Sequence, residues 1–174
     1  MKIKSTAGKD VYFENWSTPL DQGQWIWLIS LLQTVDSIHF FFAFTGDKAS
    51  KRIHVMTIDR YCPYRLIEER YAVGCVGKNL LERKKENNYP SRNSKGNHIK
   101  TWKLWGTQFI KEVDENTSLS NYSPIPNKNI VQYLITTEEE YIEFIADQEP
   151  RWKSYPNMKI ENLLVHYSKK TRKR

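Results

Sequence analysis

The chain has 174 residues, of which 39% are hydrophobic and 13% aromatic, with a net charge of +7. That length fits one domain, and the apolar content supports a buried core and excludes disorder by composition. The longest apolar stretch, residues 38–44 with His39 inside it, is far shorter than the ~20 residues a membrane span requires, so no membrane partner is expected.

In chain order, residues 1–5 read as a short strand, and 10–19 as a loop or turn around Trp16-Ser17-Thr18-Pro19. Residues 21–33 read as a helix. Trp25, Leu28, Ile29 and Leu32 repeat at i, i+3, i+4 and i+7, with Asp21 as N-cap and Trp25 on the core-facing side. Residues 37–45 are continuously apolar, which predicts a buried central strand. Gly46-Asp47 then turns the chain into a hairpin partner at 52–58. Residues 64–70 read as a helical turn. Residues 71–76 read as a strand, with Gly74 and Gly77 marking a bulge or a close backbone approach.

Residues 78–86 are polar and fit a strand or a short helix, and 87–96 are a loop by composition. Residues 98–113 read as strand, broken at Gly106, and 121–129 as a Pro/Asn loop. After a strand at 130–135, Thr137 and Glu140 match a capping box. That pair predicts a helix through Tyr141, Ile142, Phe144 and Ile145, stopped by Pro150. Residues 158–167 fit either strand or helix. About six strands, a few helices and no βαβ alternation predict an α+β domain with a mixed or barrel-like sheet. It spans residues 1–168, with a basic tail at 169–174.

Charge is segregated along the chain. Residues 78–103 hold eight basic and two acidic residues, residues 111–149 hold two basic and nine acidic, and residues 169–174 add five positive charges. Such basic patches point to nucleic acid, whose phosphates are met mainly by Lys and Arg. Lys78, Arg83, Lys84, Lys85, Arg92, Lys95, Lys100 and Lys103 are the candidate phosphate contacts. The tail fits either further phosphate contact or a nuclear-localisation signal. Six tryptophans are many for this length, and Trp102 and Trp105 directly follow the basic stretch. Aromatic rings beside cations are what base stacking requires.

Other chemistry is thinly represented. No P-loop, dinucleotide fingerprint, zincin or nucleophile-elbow motif occurs. Cys62 and Cys75 are too few for a zinc site and are expected to be reduced. No apolar leader follows Met1, so an intracellular location, cytoplasmic or nuclear, is expected. A metal-dependent nuclease would have to use Asp59, Glu82 and Lys84, and a phosphoesterase would have to use His166. A protein-interaction factor, of the kind viruses encode, is the remaining alternative for a basic surface.

Ile3-Lys4-Ser5, then Asp10-Val11, then Trp16-Ser17-Thr18-Pro19, resemble the opening of YTH domains. These belong with EVE and ASCH domains to the PUA-like group. The likeness extends loosely to the apolar run at 38–44, to residues 71–77 and to the segment at 102–113. It implies a PUA-like fold without catalysis or cofactor, reading N6-methyladenine in RNA or DNA as part of a larger protein or complex. By that resemblance Trp16 is one wall of an aromatic cage, Asp10 faces the Watson–Crick edge, Ser17 lies by the modified amino group, and Lys4 lies near the phosphates. Trp102 and Trp105 are the candidates for the second wall. In a duplex the base would first have to flip out. The sequence departs from the family by a shorter stretch between Asp10 and Trp16, by extra material at 52–70 and by the lack of an arginine-aspartate signature near the end.

Overall fold

Pairing between distant aromatic and β-branched segments, rather than helical propensity, organises most of this chain. A computed structural model describes residues 2–4, 10–22, 25–45, 52–59, 62–68, 100–117 and 130–170. The strands are β1 (Lys2–Lys4), β2 (Asp10–Asn15), β3 (Trp25–Gln33), β4 (Ser37–Thr45), β5 (Arg52–Asp59) and β6 (Tyr64–Glu68), then β7 (Thr101–Trp105), β8 (Val131–Thr136), β9 (Glu140–Ala146) and β10 (Arg151–Pro156). Helix α1 is Gln108–Thr117, helix α2 is Ile160–Lys170, and a 3-10 turn covers Pro19–Gln22.

The strands form two antiparallel sheets, a six-stranded one ordered β1-β2-β7-β8-β9-β6 and a four-stranded one ordered β10-β5-β4-β3. The α+β expectation with a barrel-like sheet is thereby corrected. The architecture is mainly β, the sheets are open, and only two α-helices occur among the described residues.

The two sheets share one core. Ile26, Phe40, Phe42 and Met56 from the four-stranded sheet pack with Tyr133, Ile135, Ile142 and Phe144 from the six-stranded sheet. On the far side of the four-stranded sheet, α2 buries Leu163 and Tyr167 against Phe41, Ile53, Val55 and Tyr155. On the far side of the six-stranded sheet, α1 buries Phe109 and Val113 against Ile145. β4 therefore has apolar neighbours on both faces, which is why its sequence runs apolar without alternation.

Three helical expectations are strands in the structure. β3 occupies the segment read as the first helix. Its pairing with β4 slips between Leu28 and Ser30, a β-bulge at Ile29. Ile26 and Leu28 face the core before the bulge and Leu31 after it. The extra residue breaks strict alternation and produces helix-like spacing in the sequence. The Thr137–Glu140 box closes the β8–β9 hairpin instead of opening a helix. Glu140 N–H donates to Thr137 Oγ1 at 2.9 Å, and Thr137 Oγ1 donates to Glu140 Oε2 at 2.8 Å. Residues 64–68, read as a helical turn, form the edge strand β6.

Elsewhere the differences are smaller. Residues 10–15 are strand β2 rather than loop. The chain does break at Gly106, where φ is 70°, but it continues as α1 rather than as a second strand, with Thr107 Oγ1 accepting from Ile110 N–H at 3.3 Å. Of residues 158–167, left open between strand and helix, 160–167 are helical and belong to α2. The hairpin expected at 37–58 and the strand expected at 130–135 are present as β4–β5 and β8. The strand expected at 71–76, the basic stretch from 78 to 99 and the tail from 171 onward lie outside the described residues.

Candidate functional site

The Trp16-Ser17-Thr18 segment leaves β2 and is held against the start of β7. Trp16 N–H donates to the Thr101 carbonyl at 3.0 Å, and the Thr101 hydroxyl donates to the Trp16 carbonyl. Asp21 braces the same corner, accepting from Thr18 N–H at 3.0 Å and from Thr101 Oγ1 at 3.2 Å. Burial pushes the Asp21 carboxyl above its usual range, against the pull of those hydrogen bonds. The first sequence motif is thus brought directly beside β7, the strand that emerges from the basic stretch.

The Trp16 ring itself faces the core and is 2% exposed. Its neighbours are Tyr133 at 4.7 Å, Trp152 at 5.8 Å and Phe144 at 6.3 Å between centroids. Its Nε1 donates to Glu149 Oε1 at 2.9 Å, and Lys103 Nζ donates to the other oxygen of the same carboxylate at 2.9 Å. Those two hydrogen bonds, Lys103 first, hold Glu149 below its usual carboxylate pKa. The Tyr133 hydroxyl is pushed up by burial first, then by the negative charges of Glu149, Asp147 and Glu14. Lys103, paired with Glu149, offsets part of that negative charge.

Two of the other candidates for the modified-base pocket, Trp102 and Asp10, lie away from the Trp16 ring. Trp102 lies directly opposite Leu134, whereas Lys103 lies opposite the core-facing Tyr133. Alternation along β7 therefore puts Trp102 on the opposite face of the sheet from Trp16, where it is 2% exposed. Trp105 is half-buried and shares the face of Lys103. Asp10 opens β2 and pairs with Lys4 of β1. With six residue steps of extended chain separating them, Asp10 and Trp16 are roughly 20 Å apart. Ser17 is exposed.

Among the candidate phosphate contacts, Lys100 pairs with Glu138 at 3.2 Å and Lys103 with Glu149. Lys78, Arg83, Lys84, Lys85, Arg92 and Lys95 lie outside the described residues. Of the nuclease set only Asp59 lies among the described residues. Asp59 receives both Arg151 Nε and a terminal guanidinium nitrogen at 2.7 and 2.6 Å, and Glu82 and Lys84 are outside the described residues. His166 is exposed, its ring edge-on to Tyr167. No group of three or more His, Cys, Asp or Glu able to hold a metal occurs among the described residues. Cys62 is a buried free thiol whose pKa burial pushes up to about 12, which makes it a poor nucleophile. No helix among the described residues is long and apolar enough to cross a membrane.

Sequence reasoning missed Tyr133, Trp152 and Glu149 as the companions of Trp16. They come from three separate elements, and no local spacing links them. It also placed Trp25 in the core, whereas Trp25 is 53% exposed. Comparison with family models, with curated proteins and with solved structures yields no match.

Proposed function

We propose that this chain binds nucleic acid through its phosphate backbone. The observation that carries the reading is the segregation of charge, eight basic residues against two acidic ones over 78–103 and five more cations in the last six positions. Most of this stretch falls in the sequence between β6, which ends the six-stranded sheet among the described residues, and β7, an inner strand of the same sheet.

The test is fluorescence anisotropy with single-stranded RNA, single-stranded DNA and duplex DNA over a salt series. Binding is expected at low salt, with log K falling linearly against log salt because bound counterions are released. Absence of binding at low salt sinks the reading and leaves an acidic protein as the partner to seek. The finer form, recognition of N6-methyladenine by Trp16, requires the Trp16 ring to separate from Tyr133 and Trp152. Oligonucleotides that differ by a single methyl group decide it. A preference for the methylated member that is lost in Trp16→Phe supports it, and equal affinity removes it.

A further inference from the structure

The strand assignment of residues 25–33 changes the meaning of two tryptophans. Trp27 lies directly opposite Ala43 and Trp25 opposite Thr45. Ala43 is two residues from Phe41, which faces α2, so both indoles project from the side of the four-stranded sheet that carries α2. They sit at i and i+2 on an edge strand with no charged residue between Trp25 and Gln33. Trp25 is 53% exposed and Trp27 half-buried. Two neighbouring indoles on one solvent-facing side of a sheet form a stacking surface, and every base offers a π-face to it.

The charge at that end of the sheet fits the same ligand. Trp27, Ala43, Ile53 and Tyr155 form one row across the four strands. Lys153 pairs with Val55 and so shares the α2 side, where its ammonium lies 5.0 Å from the Tyr155 ring centroid; exposed Lys159 comes after β10, with Glu161 opening α2 beyond it, whereas Arg52 alternates with Ile53 and belongs to the opposite face.

We propose that Trp25 and Trp27 form a platform on which consecutive bases of a single-stranded nucleic acid stack. The proposal rests on the nucleic-acid reading of the chain and locates the base contacts away from Trp16. Stacking on aromatic side chains tolerates any base, so the platform carries little sequence preference.

The experiment measures anisotropy of the full chain with fluorescein-labelled oligo-uridine RNA and oligo-thymidine DNA. Trp25→Ala, Trp27→Ala and Trp25→Phe are the variants, with Val35→Ala as a control at an exposed apolar position in the neighbouring turn. Trp25→Ala is expected to weaken binding about tenfold, Trp25→Phe to recover most of that loss, and Val35→Ala to leave affinity unchanged. Trp25 is exposed, so its variants report even if Trp27→Ala does not fold. Undiminished binding by Trp25→Ala overturns the platform and leaves the nucleic-acid reading standing. Failure of the unaltered chain to bind either strand overturns that reading and the platform with it.

Discussion

The Trp16 indole donates a 2.9 Å hydrogen bond to Glu149 across 133 residues of sequence, closing one end of the core between the two sheets. A wide ring, buried on both faces and tied at its one polar atom, behaves as a packing element. Trp16→Ala is expected to lower unfolding free energy by about 3–5 kcal/mol, measured by urea denaturation. Glu149→Gln removes the charge of a carboxylate that is 56% exposed and turns the oxygen facing Lys103 into an amide donor while keeping an acceptor for Trp16, and is expected to cost about 1 kcal/mol. A Trp16→Ala variant of undiminished stability would mean that the ring is not part of the core.

The sequence made some of this architecture plain and hid the rest for identifiable reasons. The β4–β5 hairpin was legible because an uninterrupted apolar run needs neighbours on both faces, and the run from Ser37 has them. Residues 25–33 were misread because one bulged residue, Ile29, converts a period of two into a spacing that suits a helix. Residues 137–146 were misread because one bond of the capping box, Glu140 N–H to Thr137 Oγ1, also forms at this tight turn, while the Thr137 N–H goes to the Glu140 carbonyl instead of the carboxylate. With both segments taken as helices, an α+β domain resulted from the count of elements, and the second face of the core had no visible source. The site suffered in the same way. Trp25 looked buried because a helix would have put it with Leu28 and Leu32, whereas the strand puts it beside Trp27 in solvent.

The hairpin role of Thr137 is separable from a helix-capping role. Its hydroxyl meets the Glu140 carbonyl at 3.0 Å as well as the Glu140 side chain and amide. Thr137→Ala is expected to destabilise the protein by about 1–2 kcal/mol. Far-UV circular dichroism should stay unchanged, since no helix starts there. Loss of helical signal in the variant would contradict the strand assignment of residues 140–146.

Glu143 is fully buried on the outer face of the six-stranded sheet and is held by Arg65, whose Nε and a terminal nitrogen lie 2.6 and 2.5 Å from Oε2. The guanidinium also lies 4.1 Å from the centroid of Phe109 on α1. Arg65→Met strands a buried carboxylate and is expected to cost about 3–5 kcal/mol. The double variant Arg65→Met with Glu143→Leu is expected to recover most of that loss, because the desolvated charge goes with its partner. Equilibrium denaturation of the single and double variants checks this. Equal destabilisation of the two would show that the methionine packs badly, not that the charge is stranded.

His54 gives stability a pH dependence of predictable sign. Its ring is 3% exposed, with Nδ1 2.8 Å from Ser154 Oγ, and burial, together with the smaller effect of the positive charge of Arg52, lowers its pKa from 6.5 to about 4. An unfolded histidine takes up its proton near pH 6.5, whereas the folded protein takes it up only near pH 4. Between those values the unfolded state binds more protons, so acidification favours unfolding. The stabilisation is whole above pH 6.5 and is lost as pH falls toward 4. His54→Phe removes the titration and loses the contact with Ser154. The unaltered protein should therefore melt higher than the variant at pH 7.5, and the gap should shrink by on the order of 5 °C by pH 4.5. Thermal melts across that range measure it. A gap that stays constant with pH would mean that His54 titrates alike in the folded and unfolded states and that its burial carries no proton linkage.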